Sequence, residues 1–251
     1  MTPVVFLGPT LPRDEARAIL AADWRPPAGC GDVYRAVRDG ARTLALIDGA
    51  FQSRPAVWHK ELLWALAQGV TVCGAASMGA LRAAELDGFG MRGIGRIYRG
   101  FARARFALEP EARDDAVAVL HAPEELGYAP LTEALVDMRA TVRRALRCGV
   151  VDGAAAASIL ETCQSLHFAD RTWPTALEKA RQGGAAPAPL SRFRAWLPAG
   201  GFSQKALDAR VLLRWLANGR LAPCDRPPTF IDTTRWRALQ VRLENPVLRD
   251  C

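Results

Sequence analysis

The stretch Val70-Thr71-Val72-Cys73-Gly74-Ala75-Ala76-Ser77-Met78-Gly79-Ala80-Leu81-Arg82-Ala83-Ala84-Glu85-Leu86 carries the strongest chemical signal in this chain. An apolar run of strand composition breaks at small residues and restarts with helix composition. Ser77 stands at the break, with small Ala75 and Gly79 two positions to either side. This is the pattern of a nucleophile elbow, a sharp strand-to-helix turn that exposes one hydroxyl. Small neighbours are needed because such a turn brings two backbones close together. The N–H groups of Met78 and Gly79 would open the helix and could donate to an oxyanion, helped by the helix dipole. The same residues also suit a tightly packed turn in which the serine only caps the helix.

A hydroxyl becomes a useful nucleophile when a base lies in reach and a third group orients that base. Open parallel sheets build their sites beyond the carboxyl ends of the strands. The polar residues just past each expected strand are therefore the candidates: Gly8-Pro9-Thr10, then Asp48-Gly49, then Ser77, then His121. His59 falls in the first turns of the helix after Asp48 and faces the same rim. Two assignments stay open. One is Asp48, His59 and Ser77; the other pairs Ser77 with His121 and either Asp114 or Asp115. The first is preferred, because the dipole keeps a histidine near a helix N-terminus neutral and able to accept a proton. Lys60, Glu61, Arg82 and Glu85 are expected on the rim. Arg82 could grip a carboxylate or a carrier's C-terminus, although Arg82 and Glu85 are also spaced to pair with each other. Cys73 lies inside the strand and reads as an inert buried thiol.

These residues need a scaffold. Short apolar runs at Val4–Leu7, Thr43–Ile47, Val70–Cys73 and Ala116–Leu120 alternate with helical stretches. That alternation predicts an α/β fold, a mostly parallel sheet flanked by helices. Helices are expected near Pro12–Leu20, Asp32–Arg38 and Arg54–Leu66, the last with Pro55 at its start. Beyond Pro130 the pattern becomes mainly helical, so the division expected is an α/β core over 1–130 and a helical C-terminal region over 131–251. Helices are read there at Leu131–Cys148, Gly153–Ser165 and Gln204–Leu216, with a loop over Gly183–Pro189 and a proline-bearing tail that wraps back over the body.

Composition excludes several classes. The 251 residues are 50% hydrophobic and 24% charged, ordinary for a globular chain. No apolar run reaches the roughly 18 residues of a membrane span, and the N-terminus reads as a first strand. The scattered cysteines form no CxxC, which argues against zinc or disulfides and for reduced thiols in a cytoplasm. Net charge is +7. Arg92, Arg96, Arg99, Arg103 and Arg105 form either a solvated face or a dock for an acidic protein; no nucleic-acid motif accompanies them. Gly8-Pro9-Thr10 lacks the glycines and lysine of a phosphate loop, and Gly93-Ile94-Gly95 does not complete a dinucleotide fingerprint, so no cofactor is expected.

A series of strings resembles the TfuA family: Val5-Phe6-Leu7-Gly8-Pro9, Gly31-Asp32-Val33-Tyr34, Ile47-Asp48-Gly49, Val57-Trp58-His59-Lys60-Glu61, the run Gly74 to Leu86, and Gly90-Met91. The likeness covers roughly the first 130 residues and none of the C-terminal third. The resemblance implies a role beside a YcaO enzyme, which uses ATP and magnesium to activate a peptide-backbone amide for conversion to a thioamide. It implies sulfur delivery by hydrolysis of a thiocarboxylated ThiS-like carrier protein, with a precursor peptide or protein as the final substrate. Acyl chemistry of that kind suits Ser77. The resemblance carries no residue roles for Asp48, His59, Ser77 or His121; those rest on their places at the strand ends. A non-catalytic activator of YcaO, and a serine hydrolase of small esters or amides, are the alternatives.

Overall fold

The computed structural model describes residues 2–51, 54–107, 113–220 and 227–245. The side chains at 104–107, Arg105 among them, lie outside the described residues, as do Pro223, Cys224 and Cys251. Five parallel strands form one sheet: β1 (Val4–Phe6), β2 (Asp23–Arg25), β3 (Thr43–Leu46), β4 (Thr71–Ala75) and β5 (Arg92–Ile94), in the order β2-β1-β3-β4-β5. Leu44 sits opposite Val4 on one side and Val72 on the other, so β3 is central.

Side chains alternate across the sheet, as the period of a strand requires. Val4, Phe6, Leu44, Leu46 and Val72 face a core with α2 (Asp32–Arg38) and α3 (His59–Ala67). Val5, Leu7, Ala45, Ile47, Cys73 and Ala75 face a core closed by α1 (Arg13–Ile19) and α10 (Gln204–Ala217). A helix from far down the chain thus completes the second face of the sheet. A third core joins α4 (Met78–Leu86) and α5 (Gly95–Ala107) to α6 (Leu135–Arg147), α7 (Gly153–Ser165), α8 (Trp173–Gln182) and α9 (Pro187–Gly200). The tail returns as α11 (Thr234–Glu244) and buries Trp236 against Tyr34 and Trp64.

Three expectations need correction. Ala116–Leu120 is not a strand. Residues Asp114–Ala116 form a single 3₁₀ turn, and the chain then leads on to meet its own return, with a lone antiparallel bridge between His121 and Pro130. The turn is set by Asp115, which Arg171 holds through both its carboxylate and its carbonyl. The helix read from Arg54 begins only at His59. Upstream of it the Pro55 carbonyl accepts from Cys30 N–H and Arg54 pairs with Asp32, so 54–58 is drawn out as a partner for the loop before α2. The loop read over Gly183–Pro189 is shorter, because Pro187 opens α9 at the position where its missing N–H costs nothing.

Candidate functional site

The strand order reverses direction between β1 and β3, which places the crevice of the sheet beyond Phe6 and Leu46. Asp48 bridges that crevice. Its carboxylate accepts from Gly8 N–H at 2.9 Å, Thr10 N–H at 3.1 Å and the Thr10 hydroxyl at 2.6 Å. At 2% exposure it is buried, and three donors satisfy it as a buried charge requires. Asp48 therefore ties two strand-end loops together, and no histidine is among its partners.

Ser77 stands beside this crevice on a strained elbow. Its N–H donates to the Ala75 carbonyl two residues back at 2.8 Å, and the residue between, Ala76, has φ +67°. A γ-turn with positive φ is rare and costly for a residue with a Cβ. It reverses the chain within one residue, so α4 starts immediately after β4 and lies against β3. That close approach explains Gly79: a Cβ there would come within 1.7 Å of the Leu46 carbonyl oxygen. It also changes the expected pair of oxyanion donors. Gly79 N–H already donates to the Ile47 carbonyl at 3.2 Å. Met78 N–H remains at the opening of α4, with no backbone acceptor among the described residues.

A cavity of about 30 Å³ lies here, room for one water. Asp48, Gly49, Ser77, Met78, Val117 and His121 are among its lining residues. Ser77 is 7% exposed, because residues 117–119 pass over it. Its hydroxyl faces the Val117 carbonyl at 3.4 Å. The covering segment folds back on itself: Leu131 N–H donates to the Leu120 carbonyl, Ala122 N–H to the Ala129 carbonyl, and Tyr128 packs over Gly8. Leu120, Leu126 and Leu131 on this lid are exposed.

The structure brings Asp48, Ser77 and His121 together and sets His59 apart. His59 Nε2 lies 2.7 Å from Glu85, which also takes Arg82 at 2.7 Å, while Arg82 Nε donates to the Val57 carbonyl. Burial would raise the Glu85 carboxyl, but the His59 hydrogen bond and the Arg82 charge outweigh it and hold the group below its ordinary range. The relay Asp48–His59–Ser77 is thus not assembled, because each end of His59's expected contacts is engaged elsewhere. His121 has a different arrangement. Its Nδ1 lies 2.8 Å from the Ala122 carbonyl. A carbonyl can only accept, so Nδ1 donates here, and it is the neutral form of this ring that offers a lone pair at Nε2. Neither Asp114 nor Asp115 orients it; Asp115 is taken by Arg113 and Arg171.

Glu61 and Lys60 are not rim residues. Glu61 is wholly buried and accepts from Gly31 N–H, Tyr34 N–H and Trp58 N–H, tying the starts of α2 and α3 together. Burial pushes its carboxyl up, against the pull of those N–H groups. Lys60 lies over the Phe230 ring at 4.7 Å, under the returning tail. Cys73 is buried, its thiol pushed up to about 12, in keeping with an inert group.

Two residues at the site were not foreseen. Lys205, on the first turn of α10, is 3% exposed and donates through Nζ to the same Val117 carbonyl at 2.9 Å. Arg171, fully buried, anchors the foot of the lid through Asp115. Neither carries a local sequence signal, since only the tertiary fold brings them here. Larger cavities lie elsewhere. One of about 700 Å³ sits beside Tyr34 and Glu244, and one of about 740 Å³ runs between α5 and α6, lined by Arg96, Arg139, Arg143, Arg144 and Arg147.

The family described as TfuA-like protein matches residues 48–172. The match starts at Asp48, takes in α3, the elbow, the lid, α6 and α7, and ends at Thr172. It leaves out the strings before residue 48 and runs on past residue 130. A search of curated proteins finds no match.

Proposed function

The chain belongs to the TfuA-like family, and from that premise we propose that it delivers sulfur to a YcaO enzyme by hydrolysing the thiocarboxylate terminus of a ThiS-like carrier protein. The observation that carries this reading is the strained turn at Ala76, which sets Ser77 at the head of α4, where it lines a small cavity with Met78 and His121. Strain of this kind clusters at active sites.

In the proposed reaction the lid lifts and the carrier's C-terminal –C(=O)–S⁻ enters. Ser77 Oγ attacks the acyl carbon and His121 Nε2 takes its proton. The oxyanion meets Met78 N–H, where a preorganised donor is worth about 3 kcal/mol. The C–S bond breaks, the sulfur leaves with the proton from His121, and an acyl-serine ester remains. Water, deprotonated by the same imidazole, then releases the carboxylate. The balance is R–COS⁻ + H₂O → R–COO⁻ + H₂S. ATP and magnesium act on the YcaO partner, which activates the peptide amide that receives the sulfur. The basic groove between α5 and α6 is the proposed dock for an acidic face of one partner, since charge complementarity steers association.

A second reading has its own observation. Ser77 is covered, and its hydroxyl meets a lid carbonyl rather than a histidine. That suits a non-catalytic activator of YcaO. Incubating the protein with a thiocarboxylated carrier and following free sulfide separates the two, because only the hydrolase releases it without YcaO.

A further inference from the structure

The Val117 carbonyl oxygen is held by two groups that come from opposite ends of the fold. Ser77 Oγ approaches it from the head of α4, and Lys205 Nζ from the first turn of α10. The hydroxyl and the ammonium are therefore one carbonyl oxygen apart.

The environment of Lys205 is unusual. Its side chain is nearly sealed from solvent, and a buried charge is costly unless hydrogen bonds and nearby charges compensate it. Among the described residues no carboxylate lies within 4.0 Å of its ammonium, and one of its three N–H donors has an acceptor. Asp137 is close in the fold, but its oxygens accept from the Ser203 hydroxyl and the Lys205 backbone N–H. Asp137 thus caps α10 and feels the Lys205 charge, which works against the burial that raises its carboxyl, while the ammonium itself donates to the Val117 carbonyl on the lid.

We propose that Lys205 is the anion-binding residue of the Ser77 site, and that the Val117 carbonyl keeps its place when the site is empty. This rests on the reading of Ser77 as the nucleophile toward an acyl terminus. When a carrier's C-terminus enters, its anionic thiocarboxylate displaces the Val117 carbonyl and takes the ammonium. The chemistry calls for such a cation. A thiocarboxylate is already negative, and attack by Ser77 places further negative charge on the tetrahedral intermediate. One Met78 N–H does not neutralise it; a buried ammonium does. The exchange also links binding to opening. The lid gives up a neutral acceptor for Lys205 and the incoming terminus supplies a charged one, which is the stronger hydrogen bond. Neutral esters and amides lack that charge and do not displace the lid.

The test uses the full-length protein and a small carrier protein in two forms, one ending in a free carboxylate and one in a C-terminal amide. The carboxylate form is the reaction product, so binding is measured without turnover. Calorimetry on wild type should give a preference for the carboxylate of about 30-fold or more, the low end for a buried charge pair. In Lys205→Met and in Lys205→Gln that preference should fall below about threefold. The glutamine variant keeps a donor for the Val117 carbonyl, so it separates charge from lid position, and thermal melts establish that both variants fold. A preference surviving in either folded variant overturns the proposal, as does a wild type with none. Failure of the nucleophile reading looks different: Ser77→Ala would then keep sulfide release, whatever the carboxylate preference does.

Discussion

Gly79→Ala is the sharpest test of the elbow. The Cβ of alanine would lie 1.7 Å from the Leu46 carbonyl oxygen and 2.5 Å from its carbon. Both are backbone atoms of the central strand, so no side chain can swing aside. Relief requires α4 to move off β3 by on the order of 1.5 Å, since ordinary carbon–oxygen contacts need ~3.3 Å. That shift breaks the Gly79 N–H to Ile47 hydrogen bond, worth about 1 kcal/mol, and adds an overpacking cost of about 1–3 kcal/mol. The expected loss is about 2–4 kcal/mol, read from urea or guanidinium midpoints. Gly100→Ala is the matched control. Gly100 lies inside α5 with no atom near its added Cβ, so alanine should stabilise by up to about 1 kcal/mol. A Gly79→Ala protein within about 0.5 kcal/mol of wild type would refute the close approach of α4 to β3, and with it the geometry that sets Ser77.

Glu61→Gln should cost about 1–3 kcal/mol in chemical denaturation, because an amide NH₂ replaces one of the oxygens that meet Gly31, Tyr34 and Trp58 N–H groups; an unchanged midpoint would contradict the role given to Glu61. Glu85 is held below its ordinary 4.5 in the fold, so it contributes stability that is full above that pH and is lost as pH falls through the lowered value. Glu85→Gln should flatten the acid limb of the stability profile below pH 4.5, and an unaltered limb would argue against the His59–Glu85–Arg82 cluster. Arg96→Glu with Arg143→Glu should weaken partner binding, and the wild-type complex should weaken with salt; indifference of both YcaO and carrier binding to charge and salt would remove the docking role of the groove.

Local signals carried the fold a long way. The α2 and α7 spans match their expected limits because caps mark them: Gly31 turns with φ +91° before α2, and the Asp152 side chain accepts from Ala155 N–H at the start of α7. The elbow was legible because everything that makes it, from Gly74 to Gly79, is contiguous. The edge strands β2 and β5 escaped notice. Asp23-Trp24-Arg25 and Arg92-Gly93-Ile94 are three residues each, charged or glycine-bearing, and pair on one side only. The partners of the site were the hardest to foresee. His59 sits close to Asp48 in sequence, yet its helix begins later than Pro55 suggested and directs it to Glu85. His121, which the sequence offered as the alternative partner, lines the Ser77 cavity from the lid, while Lys205 comes from α10 to the Val117 carbonyl, a contact that no local pattern encodes.

The central claim is that Ser77 releases sulfide from a thiocarboxylated carrier. The direct measurement is free sulfide, with the carrier's mass followed in parallel, for wild type and for Ser77→Ala. Wild type should release sulfide and convert the carrier to its carboxylate, while Ser77→Ala keeps its melting behaviour and loses the rate by orders of magnitude. Inorganic sulfide should then restore thioamidation by YcaO in the presence of Ser77→Ala. Full release by Ser77→Ala would contradict the account, and preserved YcaO binding without rescue by sulfide would leave the activator reading in its place.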